Sequence, residues 1–316
     1  KFKTEHTELI LDPVSISVIE ELIANFGEPF ADTSAIPTYY ISKAVSKNIT
    51  VAISGDGGDE MFGGYDTYSQ VKKAFSLNKF LIPFLPILCL LNQIKLNERV
   101  NKKIRQAYIS AHLKRKIYPL SRTFYYGSIC KDILNQEIFK KIDETPFELY
   151  SRIFNSNNAD DLMDKVFYTD IKLPLANTLL PKVDITAMSN SIEVRAPFLD
   201  NNFVRFALNI NSQLKMQNGI QKIIPKKALE EYFPHEFIYR KKQGFSPPIK
   251  SWLLNDFRGY LLDILSPNNL KKHEIIKADK VNEMINEFLS GRFNHSPFLW
   301  ILLNFQIWFN HYNPGL

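Results

Sequence analysis

The sequence is poor in cysteine: two thiols, Cys89 and Cys130, in 316 residues. That excludes a disulfide framework and any zinc spacing, and buried thiols in a reducing, cytoplasmic compartment are the expectation. The six histidines show no ligand spacing. No apolar run is long enough to span a bilayer. The nearest, Phe80 to Leu91, is about a dozen residues where a span needs roughly 20, and it carries two prolines. It reads as a buried helix or a patch contacting another domain. The opening Lys1-Phe2-Lys3-Thr4-Glu5-His6 lacks an initiator Met and the apolar core of a signal peptide. Repeats and low-complexity linkers are absent too. The positive charge is a mild excess, +6 with pI near 9.0, and is scattered apart from runs such as Lys114-Arg115-Lys116. With no clustered basic-aromatic surface, it implies solubility or small anionic ligands, and neither a nucleic-acid nor a membrane partner is expected.

What is present is ample apolar content, 45%, enough to build one large domain or two. The most informative segment is Ile49-Thr50-Val51-Ala52-Ile53-Ser54-Gly55-Asp56-Gly57-Gly58-Asp59-Glu60-Met61-Phe62-Gly63-Gly64-Tyr65. Its β-branched start reads as a buried strand that stops at Ser54-Gly55. Glycines let the following turn approach a ligand closely, and its N–H groups can face phosphate oxygens. Three carboxylates, Asp56, Asp59 and Glu60, stand in the same turn. They would repel phosphate unless a divalent cation bridged them, so nucleotide plus Mg²⁺ satisfies both halves of the motif. Solvated acids at a helix start are the competing reading. The turn is neither a Walker A loop nor a dinucleotide fingerprint.

Upstream, a strand is expected over 7–11, broken by Asp12-Pro13. A helix with its stripe on Ile16, Ile19, Glu20, Ile23 and Phe26 follows and ends at Gly27. Another helix is expected over 37–46. Beyond Tyr65 there is almost no period-two alternation. Helices are expected near 66–80, 98–112, 129–141, 146–155, 160–171, 201–208, 221–231, 250–265, 279–290 and 296–312. The fold class is therefore α/β, with the end of a parallel sheet in 1–66 and a mainly helical body in 67–316. Two strands cannot bury both faces of a doubly wound sheet, so further βα units are expected to precede residue 1. Asp184, Glu193, Arg195 and Asp200 read as a partly buried network, with Glu193 or Asp200 pairing Arg195 at a corner. Asp170 is a further candidate acid. Lys242 sits in a basic turn, Arg240-Lys241-Lys242, beside the fixed loop Gly244-Phe245-Ser246-Pro247-Pro248.

The acidic turn closely resembles the Ser-Gly-(Glu/Asp)-Gly-x-Asp-Glu-x-Phe-Gly-Gly-Tyr segment of glutamine-hydrolysing asparagine synthetases. Three further motifs match in order. They are Glu28-Pro29-Phe30-Ala31-Asp32-Thr33-Ser34-Ala35-Ile36-Pro37, then Leu179-Leu180-Pro181-Lys182-Val183-Asp184 with Met188 and Glu193-Val194-Arg195-Ala196-Pro197-Phe198-Leu199-Asp200, and last Arg240 to Ile249 with Trp252. The resemblance runs over nearly the whole chain and implies the C-terminal part of the synthetase domain. The implied fold is part of an adenine-nucleotide α-hydrolase-like (PP-loop ATP pyrophosphatase) sheet. The implied reaction adenylates the side-chain carboxylate of aspartate with ATP and Mg²⁺, then lets ammonia from glutamine displace AMP.

By resemblance, Ser54, Gly55, Gly57 and Gly58 contact the nucleotide and Asp59 holds the metal. Asp56 handles the protons of ammonia, and Lys242 stabilises charge on the transferring group. Glu60, Asp170, Asp184, Glu193 and Arg195 are substrate or supporting residues. Ile185 stands where the family has Arg, which puts a polar contact from that position in doubt. An N-terminal glutaminase domain and a pyrophosphate loop are expected in a preceding segment, so the chain alone is expected to be inactive. A homodimer is compatible with the resemblance. Three alternatives stay open: a relative that amidates cell-surface sugars or closes β-lactam rings, a non-catalytic interaction or regulatory module, and an RNA-modifying adenylating enzyme.

Overall fold

A computed structural model of the chain describes residues 5–6, 8, 14–92, 100, 104, 118–119, 122, 129–240, 244 and 247–314. The expected strand at 7–11, the helix near 98–112 and Lys242 fall almost wholly or wholly outside the described residues.

Helix α1, Ile16–Phe26, forms because Val18, Ile19, Leu22, Ile23 and Phe26 recur at helical spacing and all are buried. Gly27, at φ 69°, ends it with its N–H on the carbonyls of Ile23 and Ala24. Helix α2, Ala35–Val45, starts two residues earlier than expected. Strand β1, Val51–Ile53, leads into the short helix α3, Gly58–Phe62, and then α4, Asp66–Leu81. Most of the other expected helices are present, including Pro146–Ser156, α5 at Leu162–Asp170, α7 at Asn201–Asn209, Ala278–Leu289 and α8 at Ser296–Tyr312.

Four expectations are corrected. The helix expected over 250–265 divides into Ile249–Leu254 and Arg258–Ile264. Asn255 leaves helical geometry while its side-chain amide donates to the Ser251 carbonyl, so Leu253, Phe257 and Leu261 still all reach the core. Second, residues 171–188 are helical throughout. A π-helical stretch, Ile171–Leu179, holds Pro174 and passes directly into α6, Leu180–Met188, which carries Pro181 near its start. Asn177 donates its side-chain amide to the carbonyls of Lys172 and Leu173.

Third, a strand does follow Tyr65. Strand β2, Glu193–Arg195, pairs parallel with β1 in the register Val51↔Glu193, Ala52↔Val194 and Ile53↔Arg195. Fourth, β1 is not a buried strand among the described residues: Ile53 is 78% exposed. A sheet of two strands covers only one face with the helices described, and Val51 and Ile53 point from the other.

The largest core gathers around α8, whose Leu299 and Leu303 are fully buried with Leu253, Leu261 and Val281. From α8, Trp300 donates to the Ala31 carbonyl at 3.1 Å, Trp308 to that of Gly27 at 3.0 Å, and Tyr312 to that of Ala24 at 2.7 Å. The segment between α1 and α2 is thus fixed from the far end of the chain. In the Phe80–Leu91 run, Phe84, Ile87 and Leu90 are exposed, which favours the patch over the buried helix. Among the described residues no helix is long and apolar enough to cross a membrane.

Candidate active site

Strand β1 delivers the acidic turn. The Ser54 N–H donates to the Arg195 carbonyl at 2.9 Å, the last rung of the β1–β2 ladder. Two residues later Asp56 is clamped locally, because the Ser54 hydroxyl donates to its Oδ2 at 2.7 Å. Gly57 takes φ 85°, a conformation that L side chains rarely adopt, and a Cβ there would also strike Leu199. Gly55 differs. Its φ is not positive and a Cβ would meet nothing within 4 Å, so the chain's own packing does not require glycine there. It lines an open cavity, and a side chain at 55 would intrude on that space.

Helix α3 is held from beneath. Met61 and Phe62 are buried against Leu175 and Ala207, and the Phe62 ring meets Phe198 and Phe203 at centroid distances of 6.2 and 5.9 Å. With that face fixed, Asp59 and Glu60 are placed by the backbone. Asp59 Oδ1 pairs with Lys222 Nζ at 3.0 Å. A Cβ on Gly64 would collide with both the Asp59 carboxylate and the Lys222 side chain. Lys222 is itself left-handed, at φ 53°, and its N–H donates to the Phe62 carbonyl at 3.1 Å. Glu60 is 1% exposed and accepts the Tyr65 hydroxyl at 2.6 Å. Burial pushes its carboxyl above the ordinary range and the Tyr65 phenol likewise upward.

The cavity, of about 330 Å³, is bounded on this side by Gly55, Asp56, Gly57, Asp59 and Glu60. Opposite stand Ser34 and Thr38 from α2 and its lead-in, and Leu179, Lys182 and Val183 from the junction of the π-helical stretch with α6. Lys182 is 7% exposed and donates to Asp32 Oδ2 at 3.1 Å and Ser34 Oγ at 2.8 Å. The Asp32 carboxylate also accepts the Ser34 N–H and hydroxyl at 2.9 and 2.7 Å.

The expected residues separate into groups. Gly55, Asp56, Gly57, Asp59 and Glu60 converge on the cavity, whereas Ser54 and Gly58 stand behind it, Gly58 packed on Phe198. Asp170 is fully buried, held by Arg122 at 2.7 Å and by the Tyr118 hydroxyl, and does not line the cavity. The network expected of Asp184, Glu193, Arg195 and Asp200 is corrected. Glu193 and Arg195 do pair, at 2.8 Å, but in the open on one face of β2, where alternate residues share a side. Asp184 is exposed on α6 and Asp200 caps α7, accepting the N–H groups of Asn202 and Phe203. Lys182, Lys222, Ser34 and Tyr65 were not singled out in the sequence. Lys182 lies inside a quoted motif, whereas Lys222 carries no local signal.

Among the described residues no three His, Cys, Asp or Glu side chains form a cluster able to hold a metal ion. Glu60 is committed to Tyr65, which leaves the hard oxygens of Asp56 and Asp59. That is the sparse donor set of a Mg²⁺ ion that takes its remaining ligands from phosphate and water.

The class of site is a carboxylate-bearing strand-to-helix turn in an α/β chain, facing a lysine across a cavity. The asparagine synthase family description matches residues 1–310, and the chain belongs to that family. Asparagine synthetase [glutamine-hydrolyzing] 1 of Bacillus subtilis (strain 168) is 29% identical over 310 residues, 96% of this chain and 47% of the relative. A putative asparagine synthetase [glutamine-hydrolyzing] of Mycobacterium tuberculosis (strain ATCC 25618 / H37Rv) is 26% identical over 299 residues, 93% of this chain and 44% of the relative. Another of Methanocaldococcus jannaschii is 32% identical over 197 residues, 59% of this chain and 35% of the relative. The chain spans about half the length of the first two relatives.

Proposed function

We propose that this chain carries the adenylating half of an ATP-dependent amide ligase that makes asparagine from aspartate. The supporting observation is the cavity at the end of β1, where Asp56, Asp59 and the uncluttered Gly55 face Lys182. In this reading the β1–β2 pair belongs to a PP-loop type of sheet, residues 1–66 close that sheet and 67–316 form the helical body. A glutaminase domain and a pyrophosphate loop are supplied elsewhere in a longer protein, and the isolated chain is inactive.

The aspartate side-chain oxygen attacks the α-phosphorus of ATP, the bond to the β-phosphate oxygen breaks, and pyrophosphate leaves. Ammonia then attacks the acyl carbon and AMP departs. A Mg²⁺ held by Asp59 would neutralise phosphate charge. Gly55 gives the nucleotide room at the backbone. Asp56, steadied by the Ser54 hydroxyl, takes a proton from the attacking ammonia. Asp59, paired with Lys222 at 3.0 Å, would serve as the metal ligand, and Lys222 would supply positive charge beside the phosphates. Lys242 follows the oxygen on which charge grows during transfer.

The test is aspartate-dependent release of pyrophosphate by the full-length protein. Asp59→Ala and Lys242→Ala are each expected to lower it by about 10²–10³-fold. Full activity in Asp59→Ala removes the metal assignment, and full activity in Lys242→Ala removes the charge-stabilising one.

A further inference from the structure

We infer that Lys182 is the anchor for a carboxylate of the amino-acid substrate, held in place for that task by Asp32 and Ser34. The inference rests on the ligase reading above and adds to it the side of the cavity on which the acid substrate binds.

The charge on the cavity wall carries the argument. Among the described residues that line it, Asp56, Asp59 and Glu60 supply carboxyls and Lys182 supplies the only cation. A dicarboxylic amino acid brings a second anionic group that is not adenylated. That group is better placed away from the Asp56 and Asp59 carboxylates, because like charges within a few ångströms disfavour each other. Lys182 is the complementary wall.

Its geometry suits an anchor better than a simple tie between helices. Asp32 is not among the lining residues, so it stands behind the ammonium while Lys182 itself borders the open space. An ammonium has three donors. Two go to Asp32 Oδ2 and Ser34 Oγ, and among the described residues the third has no partner. The Ser34 hydroxyl donates its hydrogen bond to Asp32 Oδ1, so its oxygen accepts from Lys182. The Lys182 carbonyl also accepts the Thr186 hydroxyl at 2.6 Å, one turn further along α6. The side chain is therefore preorganised, and little rotamer entropy is left to lose on binding.

Asp32 and Ser34 are positioning residues in this scheme. They lie in the segment between α1 and α2 that Trp300 and Trp308 of α8 hold by its carbonyls. The π-helical stretch before α6 sets the rotation that brings Leu179, Lys182 and Val183 to the cavity together.

The experiment uses the full-length protein that carries these residues, with aspartate as the probe. In steady-state pyrophosphate release, Lys182→Met is expected to raise the aspartate KM by about 10-fold or more, the loss of one charge-assisted hydrogen bond. The ATP KM is expected to stay within about twofold, because a purely structural role would move both. Lys182→Arg, which keeps the charge and the pair with Asp32, should recover part of the loss. An unchanged aspartate KM in Lys182→Met overturns the proposal, as does an equal rise in both KM values. If Lys182→Met does not fold, Lys182→Arg decides: a raised aspartate KM beside an unchanged ATP KM supports the anchor, and no change overturns it.

Calorimetric titration of aspartate separates this proposal from the ligase reading. If the parent protein binds aspartate without aspartate-dependent pyrophosphate release, the reaction assignment fails. The anchor then stands if Lys182→Met abolishes that binding and falls if it does not. A parent protein that neither binds aspartate nor turns it over overturns both.

Discussion

Glu60 is conspicuous in the sequence, but its surroundings are visible only in the fold. In the turn it counts as one of three acids available to a cation; in the structure it is a buried residue of α3 and accepts the Tyr65 hydroxyl. Burial raises its carboxyl above the ordinary value of 4.5, so the folded protein keeps a proton there to higher pH than the unfolded chain does. The stability Glu60 allows is complete below that value and is lost as pH rises through the higher, folded one. Glu60→Gln keeps an acceptor for Tyr65 and cannot ionise. Its melting temperature should gain on that of the parent protein as pH rises above about 4.5, and parallel curves would refute the burial argument. The glycines behaved differently from one another. The turn composition announced flexibility, but only the fold distinguished Gly57, which has a left-handed backbone against Leu199, from Gly55, which has open space.

At the scale of elements, apolar spacing was a sound guide wherever a helix buries one continuous stripe. α1 and α8 lie where their periodicity puts them. The stretch 172–188 lay outside the expected helices, yet it is helical through Pro174 and Pro181 and carries Lys182. The helix expected over 250–265 failed in the opposite way: Leu253, Phe257 and Leu261 keep a four-residue repeat across a break at Asn255. α8 packs the largest core and holds the carbonyls beside Asp32. Leu303→Ala, a truncation at a fully buried position, should cost about 2–5 kcal/mol in denaturant unfolding. A loss below about 0.5 kcal/mol, the range of ordinary surface substitutions, would show that α8 is not the centre of that core.

Across the whole molecule the contrast is between that core and the sheet. β1 and β2 make few rungs, and Ile53 stands open to solvent beside them. Short, half-covered strands open more easily than a buried helix. In hydrogen exchange on this chain, amides of Val51 to Ile53 should lose protection well before those of Leu299 to Leu303, and the reverse order would place the most stable unit in the sheet.

The sequence alone determined the acidic strand-to-helix turn, most helix positions and the order of the four motifs, because each is written in the local spacing of apolar residues, glycines and acids. Tertiary structure alone decided that residues 193–195 pair with β1, that Glu193 and Arg195 face outward, and that Lys182 and Lys222 come to the turn. Those outcomes depend on contacts between segments more than a hundred residues apart, where burial and charge pairing, invisible to local pattern, choose the partner.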